Sequence, residues 1–291
     1  KFDYEPQQRT LAYATYRGKD LGGFETVKID LSWHRQQEGE RIIERATPTQ
    51  ESREVTDVAT AGVAVQLSDR LNARHGLTYG FEYYRDVYDT RKERVDLTGG
   101  AATMLDPGAP DGAHYESLGI YLQDEVRLHR RVTVTAGLRW SQIETAGQLA
   151  GRVLNLAVDQ LTGSANGVLR ISRRLNLVAG VAQGFRAPNM EDFFGRVDFY
   201  SELPNTGLTP EESLNREIGL KYYTRATAAD LYYYQSDYEG LIDRVTVGTQ
   251  PNGDPIKQRR NVRDARIRGI EASASHRFDH QWSLGGALLW T

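Results

Sequence analysis

The stretch Glu25-Thr-Val-Lys-Ile-Asp-Leu-Ser-Trp-His34 decides the fold class. It puts Val27, Ile29, Leu31 and Trp33 on one side of an extended chain and Thr26, Lys28, Asp30, Ser32 and His34 on the other, which is the period of two expected of a β-strand. The alternation recurs. Val55, Ala59, Ala61, Val63, Val65 and Leu67 share one parity, and so do Leu77, Tyr79, Phe81 and Tyr83. Leu118, Ile120, Leu122, Val126 and Leu128 oppose Gly119, Tyr121, Gln123, Glu125 and Arg127. These runs reach about 10 residues or more, whereas strands of soluble domains average about 5 to 6. Long strands with one apolar and one polar face predict a transmembrane β-barrel.

The connections carry the same prediction. Short ones, near 18–23, 68–75, 129–131, 172–175, 224–228 and 279–281, alternate with long ones near 35–53, 90–113, 144–160, 186–212 and 239–260. The long ones hold eight of the nine prolines, among them Pro48, Pro107, Pro110, Pro204 and Pro251, and strand interiors are expected to hold none. Tight turns at one end and long loops at the other are the layout of an outer-membrane barrel with periplasmic turns. About twelve strands fit. Two segments compete for helix: Thr209-Pro-Glu-Glu212 has the form of a capping box, and residues 147–161 carry apolar residues at helical spacing. One helical turn is expected before the strand that carries Ile218, Leu220 and Tyr222 on one parity.

Composition agrees. The 291 residues are 39% hydrophobic, with a mean hydropathy of −0.57, too low for one large buried core. No stretch approaches the roughly 20 apolar residues of a membrane helix. Thirty-six basic against 39 acidic residues give no field that would recruit nucleic acid. The absence of cysteine excludes disulfides, thiolate metal sites and cysteine nucleophiles. Sixteen tyrosines against eight phenylalanines favour an aromatic girdle at a membrane interface. With tight turns in the periplasm, both chain ends fall on the outer side, so the expectation is one partial β-barrel domain over residues 1–291, without a plug.

Several segments resemble TonB-dependent outer-membrane receptors. The sharpest is Gly184-Phe-Arg-Ala-Pro-Asn189, with Gly184, Phe185, Arg186, Ala187 and Pro188 matching that family's FRAP box. Leu203-Pro-Asn-Thr-Gly-Leu-Thr-Pro-Glu-Glu-Ser213, containing Pro210 and Glu211, and Glu217-Ile-Gly-Leu-Lys221 follow in the family's order. Asn261 to Glu271, with Gly269 and Glu271, resembles a further barrel strand. The resemblance implies an all-β, antiparallel up-and-down barrel, of which this chain would supply about 12 of 22 strands. It also implies a Gram-negative outer-membrane location and TonB-dependent uptake of a scarce nutrient, foremost a ferric siderophore. The partners implied are the TonB complex, reached through parts outside this chain, a metal chelate and outer-membrane lipid. No cofactor and no nucleic acid are implied.

By family position, Arg186, Tyr200, Asn205 and Tyr238 stand nearest a ligand. An arginine fork suits anionic oxygens, and tyrosine offers an apolar face with a hydroxyl. Arg186 has a second reading, as a strut pairing with a carboxylate of a neighbouring strand. Tyr16, Tyr79, Tyr83, Tyr84, Tyr88, Tyr222, Tyr223, Tyr232, Tyr233, Tyr234 and Tyr238 read first as interfacial girdle, with those near loop starts as the exceptions. Catalytic readings are weak, since the six histidines show no metal-ligand spacing and no nucleophile elbow or phosphate loop occurs. The alternatives are a passive porin or fatty-acid channel and, third, an outer-membrane phospholipase.

Overall fold

The computed structural model describes residues 2–43, 47–149, 151–194, 201–251 and 253–291. Its strands are β1 (Phe2–Leu21), β2 (Phe24–Ile42), β3 (Gln50–Arg70), β4 (His75–Asp96), β5 (Ala102–Leu105), β6 (His114–His129), β7 (Val132–Leu149), β8 (Arg152–Arg170), β9 (Leu175–Arg186), β10 (Ser201–Leu203), β11 (Glu211–Tyr223), β12 (Thr227–Thr249), β13 (Pro255–Arg277) and β14 (Ser283–Trp290). One short helix, α1 (Met190–Phe194), lies between β9 and β10. Twelve strands are long and pair antiparallel, each with the next in sequence, in an up-and-down sheet whose two end strands do not pair with each other. β5 and β10 are short additions, the former beside β4 and the latter parallel to β13. Among the described residues, no helix is long and apolar enough to cross a membrane.

Register sorts the residues by face, because cross-strand partners point to the same side. One row reads Ile29, Val65, Phe81, Ile120, Trp140, Leu161. The adjacent row, on the opposite face, reads Asp30, Ala64, Glu82, Gly119, Ser141, Gln160. The first is a continuous apolar belt, and the second is polar and ion-paired, with Arg139 bridging to Glu82 and donating to Ser141 at 3.0 Å. A lipid-facing exterior and a wet lumen account for this separation.

Three sequence expectations are corrected. The strands run well past the belt: β12 and β13 each have 23 residues, roughly 75 Å at 3.3 Å per residue, against an apolar band of about 25 Å. Most of 35–53, 144–160 and 239–260 is therefore strand, not loop, because hydrogen-bonded pairing continues in water after the hydrophobic pattern has faded. Pro6 lies inside β1, where the register shifts between Tyr4 and Gln7; the ladder is already interrupted there, so the missing N–H costs little. The helical turn at 209–212 is absent. β11 begins at Glu211, opposite Arg186 of β9, and strand pairing overrides the capping-box pattern.

The apolar core sits inside the lumen. Ala113, Met190, Phe193 and Phe194 form a buried cluster, with Tyr88, Tyr115, Leu154 and Leu156 packed around it. These last four lie on the lumen parity of β4, β6 and β8, so α1 folds inward onto the wall.

Candidate functional site

Between β9 and β11, residues 187–194 and 201–210 form a strap fastened to the neighbouring strands on two sides. Asn189 starts α1: its Oδ1 accepts from Asp192 N–H at 2.8 Å, and Asp192 Oδ2 accepts from Asn189 N–H at 3.2 Å. This reciprocal cap satisfies two orphan donors of a helix too short to sustain itself by propagation. The cap in turn aims Phe193 and Phe194 at the lumen wall. There Gly147 leaves room, since a Cβ at that position would meet both Phe194 and Ala113.

The other side is ionic. Arg186 donates to both oxygens of Glu211, Nε to Oε2 at 2.8 Å and Nη2 to Oε1 at 2.6 Å, and its Nη1 reaches Asp192 Oδ2 at 2.5 Å. Glu211 also accepts from Ile242 N–H at 2.8 Å, which ties β9, β11 and β12 together. The Arg186 fork, helped by that N–H, outweighs burial and holds the Glu211 carboxyl below its ordinary range; the same pair of carboxylates raises Arg186. Arg259 contacts Glu202 at 3.0 Å, Glu191 at 2.7 Å and Asp192 at 3.6 Å, and Arg244 contacts Glu202 at 3.1 Å. The Glu202 side chain is fully buried. Three arginines and four carboxylates thus bind the strap to β12 and β13 in a network with charge nearly balanced.

The predicted site residues separate. Arg186 is committed to the strap, as its strut reading expects. Asn205 is a brace: its Nδ2 donates to Arg259 O at 2.8 Å, and its own N–H donates to Phe193 O at 3.1 Å. Tyr238 occupies the lumen parity of β12, opposite Ser213, and Ser213 itself lies opposite Gly184. Tyr200 lies outside the described residues. Ala187 and Pro188, the first residues of the strap, are buried, and Pro210 precedes the strand start at Glu211. Glu217 stands six residues along β11 from Glu211, about 20 Å down the wall, with Gly269 at the same level and Glu271 two residues farther on, level with Gly219.

Sequence reasoning missed Asp192, Glu202, Arg244, Arg259 and Asn261. Asn261 clamps the β12 bulge, donating to Gly240 O at 2.6 Å and Thr209 O at 2.9 Å, where Gly240 takes a φ of +65° that L side chains rarely adopt. The one usable signal was Asn189 three residues before Asp192. Beside the strap a cleft of about 220 Å³ is lined by Glu38, Glu40, Glu54, Tyr88, Met190 and Glu191. Among the described residues, no group of three His, Cys, Asp or Glu side chains is placed to hold a metal ion.

Comparison with known proteins matches this architecture. The ferric enterobactin receptor of Pseudomonas aeruginosa is 24% identical over 238 residues, covering 74% of this chain and 30% of that protein. The iron-regulated outer membrane virulence protein of Vibrio cholerae is 27% identical over 241 residues, covering 72% of this chain and 36% of its own length. The chain therefore spans about a third of these relatives. Among solved structures, the copper transporter OprC superposes with a TM-score of 0.82 at 17% identity, covering 99% of this chain and 47% of that one, a likeness of fold. The family model described as TonB dependent receptor-like, beta-barrel, matches residues 2–291, and the chain belongs to that family.

Proposed function

We propose that the intact protein is an outer-membrane receptor that imports a ferric siderophore with energy delivered through TonB. The observation that carries this reading is the strap. An inward-folded segment, fastened to both walls above a polar lumen, suits a mouth that admits selected molecules, whereas a passive channel gains nothing from an obstructed entrance. The iron-linked names of the two relatives favour iron chelates among the possible nutrients. The plug, the remaining strands and the TonB-contacting segment are assigned to parts of the protein outside this chain.

On this reading the tight turns face the periplasm and the strap faces the medium. Tyr238 offers a ring and hydroxyl to the ligand, while Arg186 and Asn205 hold the strap. The test is uptake of radiolabelled ferric siderophores by cells that carry this receptor as their sole route. Uptake that disappears without TonB supports the proposal. TonB-independent entry of small solutes of many kinds would make the protein a passive channel instead.

A further inference from the structure

The turn end of the barrel carries an unusual charge pattern that uptake leaves unused. From Val126 to Ile143 and from Gln160 to Met190 the sequence contains no Asp or Glu, yet those stretches hold Arg127, Arg130, Arg131, Arg170, Arg173 and Arg174 at the two turns β6–β7 and β8–β9. Arg130, Arg131, Arg170, Arg173 and Arg174 are all exposed. Among the described residues their guanidinium groups meet no carboxylate, in contrast to the arginines of the strap.

The turns are joined into one rim. Arg127 N–H donates to Arg74 O at 2.8 Å, Arg170 N–H to Arg131 O at 2.7 Å and Tyr223 N–H to Arg174 O at 2.9 Å. Farther along, Arg277 donates through its side chain to Arg225 O at 2.9 Å. Backbone bonds thus hold the arginine-bearing turns at fixed spacing. Four of the turns also expose apolar side chains on the lipid-facing parity: Leu71, Leu128, Ile171, Phe278 and Trp282 are 60%, 61%, 45%, 65% and 70% exposed. Exposed apolar groups at the foot of the belt, with unpaired arginines just beyond them, match the two zones of a lipid leaflet, acyl chain and then headgroup.

We propose that this rim, centred on Arg130, Arg131, Arg170, Arg173 and Arg174, binds the phosphate headgroups of anionic phospholipids in the surrounding leaflet. A guanidinium fork matches two phosphate oxygens, and five unneutralised cations on adjacent turns attract an anionic headgroup over a zwitterionic one. The leaflet assignment rests on the periplasmic orientation proposed for the turns, since the periplasmic leaflet is built of phospholipid. The headgroup preference itself is independent of orientation and of uptake.

The experiment uses the intact receptor in neutral detergent, offered equimolar phosphatidylglycerol and phosphatidylcholine, with retained lipids counted by native mass spectrometry. The parent is expected to retain phosphatidylglycerol preferentially. Exchanging Arg130, Arg131, Arg173 and Arg174 for glutamine should reduce that preference at least about five-fold, the effect expected from one interfacial arginine. Lysine at the same four positions should restore part of it. Should the glutamine variant fail to fold, 0.5 M sodium chloride on the parent reads the same claim, because screening must abolish the preference. Equal retention of the two lipids by the parent, or a preference unchanged in the glutamine variant or in salt, overturns the proposal.

Discussion

Gly147 and Phe194 share one volume: a Cβ built on the glycine of β7 would lie 2.8 Å from Cζ of the phenylalanine on α1. The lumen wall is thus cut to receive the strap, and the fit gives the first prediction. Gly147→Val should destabilise the docked strap by about 1 to 3 kcal/mol, the usual cost of overpacking. Hydrogen exchange of the α1 amides would report it. Phe194→Ala added to Gly147→Val should recover part of the loss relative to Phe194→Ala alone, and strictly additive effects would show that the two side chains do not compete.

Arg186 links two carboxylates, one of them on a buried aspartate. Arg186→Ala leaves Asp192 with the longer contact to Arg259 as its ion pair and the Asn189 N–H as its other partner, so α1 protection should fall by about 2 to 3 kcal/mol, the scale of charge-assisted hydrogen bonds. Arg186→Lys should recover less than half, because an ammonium cannot reproduce the fork onto Glu211. Unchanged protection in the alanine variant would remove Arg186 from the role of strut.

The face assignment predicts that Val27, Ile29, Leu31, Trp33, Val63, Val65, Ile120, Leu122 and Leu138 meet lipid. In the intact receptor, cysteines at Ile29 and Leu31 should react with a lipid-soluble maleimide faster than cysteines at Lys28 and Asp30. The opposite order would reverse the sheet, since a shift of one residue moves every side chain to the other face.

Docking of the strap has two pH limits. Glu211 is held below its ordinary range by Arg186, so its contribution is complete above the free carboxyl value of about 4.3 and is lost as pH falls from there through the folded value. Tyr88, beside α1, is pushed up to about 12 by burial, with Asp86 and Tyr115 adding to the shift. Its contribution is complete below the free value of about 10 and is lost as pH rises from there through about 12. Protection of the α1 amides, corrected for intrinsic exchange, should stay level between about pH 5 and 10 and drop outside that window. A midpoint near neutrality would assign docking to other groups.

Much of the barrel was legible because lipid imposes a strict rule. Ile29 and Trp140 must be apolar and Asp30 and Ser141 need not be, so period two is plain in strands such as β2 and β6. Beyond the belt both faces are wet. Residues such as Gln36, Glu144 and Asp243 then give no alternation, and strands that continue there looked like loops. Leu154 and Leu156 misled in another way. Their apolar side chains point into the lumen because α1 covers that wall, and this blurred the strand pattern of 147–161 into a helical one. The five residues of α1 are too few for any periodicity. The Glu202 network joins residues 191, 202, 244 and 259, and no local pattern foretells a contact across such separations.

Those separations also order the assembly of the molecule. Arg259 and Glu191 are 68 residues apart, and the aromatic pair of α1 rests on Tyr88 and Ala113, which precede it by three or more strands. The strap cannot settle until β4, β6 and β8 stand on one side and β12 and β13 on the other, because its small apolar surface gains nothing from a wall not yet built. Its docking is therefore a late event in folding. A molecule whose strap is docked has, by that fact, completed the strands around it, so the same contacts certify that the wall beneath is finished.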